Sequence, residues 1–329
     1  MKNSMQKNDL KKISEISKII KQSKTFFIAG HVKPDGDSIG SALALKSVLT
    51  RIGKKAEVYS SDDVPVYLKF LKGANKIKKS AKKNAVFDCA VILESVNFSR
   101  MGDIITPDQA KKIINIDHHA LFTNFGAVNY IVPDSSSTAE LIFNIAEYMK
   151  IKLTKDEAEC LYTGILTDTG RFQQLNTTAD SHVTAAKLIG SGVSPSYVRN
   201  QVYENNSLAS VRLLGMALSS MHTACGGKMA YMVLTPDMFR KSGANGDETE
   251  SVINFTMTVA GVKAGCLFKV IDKNTTKISF RSVKGFDVLK IARKYGGGGH
   301  KNAAGCTIDS NFRVSLEKIK KAFSGQMNA

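Results

Sequence analysis

No stretch of this sequence stays apolar for the roughly 18 to 20 residues that a membrane-spanning helix requires, which argues against a membrane protein. The opening "MKNSMQKNDLKKISEISKIIKQSK" has no apolar segment of the kind a secretory signal carries. It reads instead as a lysine-rich helix with Ile13, Ile16, Ile19 and Ile20 on one face. Cysteine is scarce: five residues, at 89, 160, 225, 266 and 306, an odd number with no CxxC pair. That argues against a disulfide framework or a cysteine zinc site and for a reducing compartment, so the chain is expected to be cytoplasmic. Acidic residues are outnumbered, 29 against 46 basic, leaving a formal charge of +17. The excess, dense in "KGANKIKKSAKK" (72–83), favours anionic partners such as nucleotides or nucleic acid. A lysine-rich composition alone produces scattered charge, so this points to a phosphate-bearing substrate without identifying one.

What is present is a globular chain, 43% hydrophobic and 23% charged, whose 329 residues suffice for two domains. From residue 25 to about 185, strand-like and helix-like segments alternate. "TFFIAG", "AEVYS", "CAVILE" and "KIINID" are strand candidates; "SIGSALALKSVLTRIG", "STAELIFNIAEYMK", "KDEAECLYTGILTDTG" and "ADSHVTAAKLIGSG" have helical spacing. The expected fold is α/β, a mostly parallel sheet with helices on both faces. Residues 197–221 read as one long helical connector. Beyond it "KMAYMVLTPDMF", "VAGVKAGCLFKVID" and "TKISFRSV" are strand-like and "DVLKIARKYG" helical, which predicts a smaller α+β domain across a cleft. The expected boundaries are 1–200 (with 1–24 a basic helix), 201–224 as linker, and 225–329.

The acidic and imidazole residues fall at the ends of the predicted strands. "GHVKPDGDSIGS" follows the first strand with His31, Asp35 and Asp37; Glu94 ends the third; "INIDHHA" ends the fourth with Asp117, His118 and His119. Asp168 lies in an otherwise apolar helix, "TGILTDTGRF". In an open parallel sheet the C-terminal strand ends line one crevice, where such folds keep their sites. Each residue alone has a plainer reading: a loop histidine, a Pro-Asp-Gly turn, a solvated helix carboxylate. Together they form a donor set of imidazoles and carboxylates without thiolate, which suits Mn²⁺, Mg²⁺, Fe or Zn. Four carboxylates and two histidines exceed the needs of one ion and suggest two, as in two-metal phosphoryl hydrolysis.

"HVKPDGDSIGS", "IDHHALFTNFG", "GILTDTGRF" and the distant "GGGGHKNAAG" together resemble the DHH family of phosphoesterases, the last motif resembling its DHH-associated C-terminal domain. The layout, with "VNYIVPDSSSTAELIF", is most similar to the branch of oligoribonucleases and pAp phosphatases. The resemblance implies one Mn²⁺ held by His31 and Asp35, a second held by Asp37, His118 and Asp168, and a bridging carboxylate at Glu94, where the family normally has aspartate. Mg²⁺ or another divalent ion could replace Mn²⁺. It implies that His119 contacts the scissile phosphate and that Asp117 orients a histidine. In the C-terminal domain, Gly297, Gly298 and Gly299 let backbone N–H groups approach an anion, His300 adds a donor, and Arg281 matches a terminal phosphate. Arg100, Thr138 and Glu140 are further substrate candidates; Gly296 could equally close a helix, and Thr138 could cap one.

The resulting expectation is a metal-dependent phosphohydrolase that cleaves short oligonucleotides and dinucleotides to mononucleotides, removes the 3′-phosphate of pAp, or does both, by two-metal activation of water. Its partners would be short single-stranded RNA or DNA, dinucleotides and pAp, with no membrane and a possible homodimer. A catalytically weakened nucleotide- or cyclic-dinucleotide-binding protein of the same fold is the alternative, argued from Glu94 alone. A RecJ-like single-strand exonuclease is the second enzyme reading.

Overall fold

Five-residue apolar runs have no polar face to expose, so they form strands covered on both sides. The computed structural model describes residues 7–119, 123–245, 249 and 252–327, with the side chains of Lys7 and His300 outside that set. The chain divides into two compact units, 1–205 and 206–329.

In the first unit, helix α1 (Lys7–Gln22) precedes strand β1 (Thr25–Ala29), helix α2 (Gly36–Arg51) and strand β2 (Lys55–Tyr59). Strands β3 (Cys89–Leu93), β4 (Ile113–Asp117) and β5 (Val128–Ile131) follow. Helices α3 (Thr138–Tyr148), α4 (Lys155–Asp168), α5 (Ala179–Gly190) and α6 (Pro195–Tyr203) complete it. The five strands are all parallel, in the order β2-β1-β3-β4-β5. The order reverses between β1 and β3, and that switch point opens a crevice at the strands' carboxyl ends.

Helices line one face of this sheet. Ile13, Ile16, Ile19 and Ile20 of α1 are buried there with Phe26, Ile28, Val91 and the apolar sides of α2, α3 and α4. The other face (Phe27, Ala29, Tyr59, Ala90, Ile92) is closed by Met101, Ile104 and Ile105 from short 3-10 turns and irregular chain. The expectation of helices on both faces therefore needs correction. Residues 60–88 and 94–112 form only short 3-10 turns and irregular chain there.

The second unit begins with helix α7 (Leu208–Ser219), strands β6 (His222–Ala224) and β7 (Met229–Leu234) and helix α8 (Pro236–Ser242). Strands β8 (Ala264–Val270) and β9 (Thr276–Ser282), helix α9 (Val288–Arg293), strands β10 (Gly298–His300) and β11 (Ala303–Ile308) and helix α10 (Phe312–Met327) follow. Its sheet runs β10-β11-β9-β8-β7-β6, antiparallel except for β7 with β8. The connector expected over 197–221 is two helices. The first ends at Tyr203, and the hydroxyl of Ser207 accepts from Ser210 N to start the second. The strand-like reading of 228–239 stops at Leu234, because Thr235 caps and Pro236 begins α8.

Candidate metal centre

Where β1 ends, Gly30 turns the chain over the start of α2, and a Cβ there would lie 1.8 Å from Ser38 Oγ. The turn delivers His31, Asp35 and Asp37. Asp35 caps α2 through Ser38 N (3.0 Å to Oδ1), which leaves Oδ2 facing His31 Nε2 at 3.8 Å. Asp37 is fully buried. Its carboxylate accepts from Thr138 N (2.6 Å) and Ala139 N (2.8 Å), the first N–H groups of α3, and from Ser41 Oγ (3.1 Å). Gly164 of α4 makes room for it, since a Cβ there would meet Asp37 Oδ1 at 2.8 Å.

Glu94 is the first residue beyond β3. It is 1% exposed, and its backbone is left-handed (φ 51°), a strained conformation for a non-glycine residue. Its Oε2 stands 3.7 Å from His31 Nε2 and its Oε1 3.3 Å from His118 Nε2. His118 Nε2 is also 3.5 Å from Asp168 Oδ2. Ligand atoms of His31, Asp35 and Glu94 lie within 4.8 Å of one another; so do those of Asp37, His118 and Asp168, and those of Glu94, His118 and His119.

The hydrogen bonds decide what these atoms can accept. His31 Nδ1 bonds Val32 O at 2.7 Å, and His118 Nδ1 faces Ser135 O at 3.3 Å. Each ring thus directs its Nδ1–H to a carbonyl and leaves an Nε2 lone pair pointing at carboxylate oxygens. Two acceptors attract only through a cation between them, whether proton or metal ion. Glu94 Oε2 and His118 Nε2 are moreover buried without a hydrogen-bond partner among the described residues. Hard carboxylate oxygens and neutral imidazoles at this spacing fit divalent ions with bonds of about 2.0–2.2 Å.

Crowding shapes the titration. Burial, then the charges of Asp37, Asp35 and Asp168, pushes the Glu94 carboxyl well above its ordinary range. Burial, then Asp37 and Asp35, pushes Asp168 up to about 8. Burial likewise raises Asp37. Asp35 goes the other way: burial opposes its charge, but His31 and Ser38 N hold it below the usual range. Asp117, fully buried, accepts from His119 N (3.0 Å) and Nδ1 (2.7 Å), so it fixes the second histidine of the pair with Nε2 directed away.

The softer candidates separate. Arg100 is half-buried, its carbonyl accepts from Val32 N at 2.8 Å, and its charge reaches His31. Thr138 is not the cap of α3; Ser137 is, and Thr138 Oγ1 is buried without a partner among the described residues. Glu140, 4% exposed, takes hydrogen bonds on Oε2 from Ser135 Oγ, Ser136 N and Ser136 Oγ. It braces the loop whose Ser135 carbonyl meets His118 instead of facing open space. In the second unit, Arg281 pairs with Gly265 and Ala303 in the sheet register. Gly298 and Gly299 belong to edge strand β10, and a Cβ on Gly297 would strike Gly305 O at 2.1 Å. Gly296 is left-handed beyond α9, and Gly297 N returns to Ala292 O, so the helix-closing reading of Gly296 holds. The side chain of His300 lies outside the described residues.

Sequence reasoning missed Asn176. Its Nδ2 donates to Asp168 Oδ2 (3.1 Å), Asp168 O (3.1 Å) and Ser136 O (2.9 Å), tying the end of α4 to the serine loop. Within "QQLNTT" it looks like any loop asparagine.

Residues 25–165 match the DHH family, N-terminal domain, and residues 226–328 match the DHHA1 domain. The chain is 31% identical over 300 residues to the bifunctional oligoribonuclease and PAP phosphatase NrnA of Thermus thermophilus, spanning 90% of this chain and 89% of that protein. It is 29% identical to the Bacillus subtilis protein of the same name, spanning 90% and 93%. An exopolyphosphatase-related protein from Bacteroides fragilis superposes with a TM-score of 0.91 at 26% identity, covering 99% and 98% of the two chains. The Mn²⁺ complex of RecJ from Thermus thermophilus, 11% identical with a TM-score of 0.51 and 55% of its chain covered, shares the fold. With both domains matched in order and a relative 31% identical along nine-tenths of its length, the chain belongs to the DHH family.

Proposed function

We propose that the protein is a Mn²⁺-dependent cytoplasmic phosphohydrolase that cleaves short oligonucleotides and dinucleotides to mononucleotides and removes the 3′-phosphate of pAp. One observation carries the reading: imidazole lone pairs and carboxylate oxygens face one another at 3.3–3.8 Å around Glu94, an arrangement that needs cations to be attractive. The NrnA relatives, named as oligoribonucleases and PAP phosphatases, support the choice of substrate.

In this reading His31 and Asp35 hold one ion, Asp37, His118 and Asp168 the other, and Glu94 lies between them. When bound, such ions neutralise charge on phosphoryl oxygens and lower the pKa of water. The protein's own groups do the rest. The N-terminus of α3 steadies Asp37. Asp117 fixes the His119 ring through Nδ1–H, so that in the doubly protonated ring Nε2–H would meet the scissile phosphate and give its proton to the leaving oxygen. Arg100 supplies positive charge beside His31. In the second unit, Arg281, His300 and the backbone of Gly297–Gly299 are phosphate contacts in the same proposal.

The test is direct. Purified protein with Mn²⁺ should convert pAp to AMP and 5′-labelled dinucleotides to mononucleotides, and EDTA should stop both. Nucleotide binding without turnover of either substrate would overturn the enzyme reading in favour of a binding protein.

A further inference from the structure

The loop that leaves α4 carries a feature the metal centre does not explain. Gly170, Arg171 and Phe172 are left-handed in succession (φ 53°, 66° and 61°), and two of them are not glycine. Such strain persists only where surrounding structure enforces it, and it collects at working sites. Each of the two side chains meets an aromatic partner. The Phe172 ring, anchored against the helical core, stacks on His182 of α5 with centroids 4.9 Å apart and planes 23° from parallel. His182 is exposed to solvent. The Arg171 guanidinium lies 4.4 Å from the Tyr203 ring centroid, is exposed, and forms no ion pair among the described residues.

This rim adjoins the metal centre. Asp168 and Phe172 are four residues apart, at most about 14 Å even in extended chain. Asn176, in the same loop, bonds the Asp168 carboxylate, and the charges of Arg171 and Asp168 both act on Tyr203. Leu175, in the same loop, is 82% exposed. Packing that served only to close the loop would bury the His182 ring instead of presenting it.

We propose that this rim is a nucleoside subsite: a substrate base stacks on His182, braced by Phe172, and Arg171 contacts a phosphate that is not cleaved. The proposal rests on the nucleotide reading above and deepens it. Every base has a π-face, so the platform favours bases over sugar-phosphates without selecting a sequence.

The experiment measures affinity, so it does not depend on turnover. A phosphorothioate-linked 2-aminopurine dinucleotide and its abasic analogue are titrated, by fluorescence and by competition, into wild type and variants. Wild type should bind the base-bearing ligand more tightly and quench its fluorescence. His182→Ala should lower the ratio of the two affinities about 5- to 150-fold, and His182→Tyr, which restores a ring, should recover it. Arg171→Ala should weaken both ligands alike and reduce the salt slope by about one. A wild-type ratio near one, a ratio unmoved by His182→Ala, or no recovery with tyrosine overturns the platform; an unmoved salt slope overturns the Arg171 contact. If the ratio falls but no nucleotide is hydrolysed, the proposed function fails and the subsite stands. Normal hydrolysis with an unmoved ratio fails the subsite alone.

Discussion

Glu94 combines three costs in one residue: burial, proximity to like charges and a left-handed backbone. Because its folded-state pKa lies above the unfolded one, the stability it contributes is present below about pH 4 and is lost as pH rises. Asp168 behaves alike, with the loss running up to about 8. Urea melts in EDTA should therefore show the metal-free protein weakening steadily from about pH 4 to 8, and less steeply in Glu94→Gln; a flat wild-type profile would contradict this. Deprotonation is what ion binding demands, so Mn²⁺ affinity should rise over the same range with proton release, measurable by calorimetry in buffers of different ionisation enthalpy. Glu94→Asp should keep activity at or above wild type, since aspartate tolerates positive φ better, whereas Glu94→Ala should lose at least about 100-fold in ion affinity. Asn115, mid-strand in β4, has both amide atoms buried without a partner among the described residues. Asn115→Leu should therefore stabilise the protein by roughly 1 kcal/mol in denaturant melts.

The elements bearing the proposed ligands are those most legible in the sequence. β1, β3 and β4 are apolar runs bounded by polar residues, and His31, Glu94 and His118 follow directly at their ends. β5 (Val128–Ile131) was missed because its four residues alternate burial and carry no run to recognise. Helix contacts were illegible for another reason: glycine in a helix announces no partner. Gly40 and Gly164 bring α2 and α4 together, for a Cβ on Gly40 would meet Cys160 O at 2.3 Å and one on Gly164 would meet Asp37 Oδ1 at 2.8 Å and Asp37 Cα at 3.2 Å. Gly164→Ala should cost about 1–3 kcal/mol of stability by overpacking and should also weaken ion binding by displacing Asp37. Unchanged melting and unchanged calorimetric affinity in that variant would show that the helices yield without disturbing the carboxylate.

At the scale of the whole molecule, each unit has its own apolar core. All six proposed ion ligands belong to the first unit. Scanning calorimetry should resolve two transitions, and Mn²⁺ at about 100 times its dissociation constant should raise only one, by roughly 2.7 kcal/mol. Movement of both together would mean that the units unfold as one. The separation of the ligands along the chain has a consequence for biosynthesis. His31, Asp35 and Asp37 leave the ribosome early, but Asp168 follows Asp37 by 131 residues (168 − 37). At about 5–20 residues per second that is an interval of roughly 7–26 s. Through it, the nascent chain holds a partial donor set on a sheet that is still gaining strands. On the proposed ligand set, the second ion would load late, timed by the emergence of α4, and a ribosome stalled before that helix would display a chain lacking the Asp168 ligand.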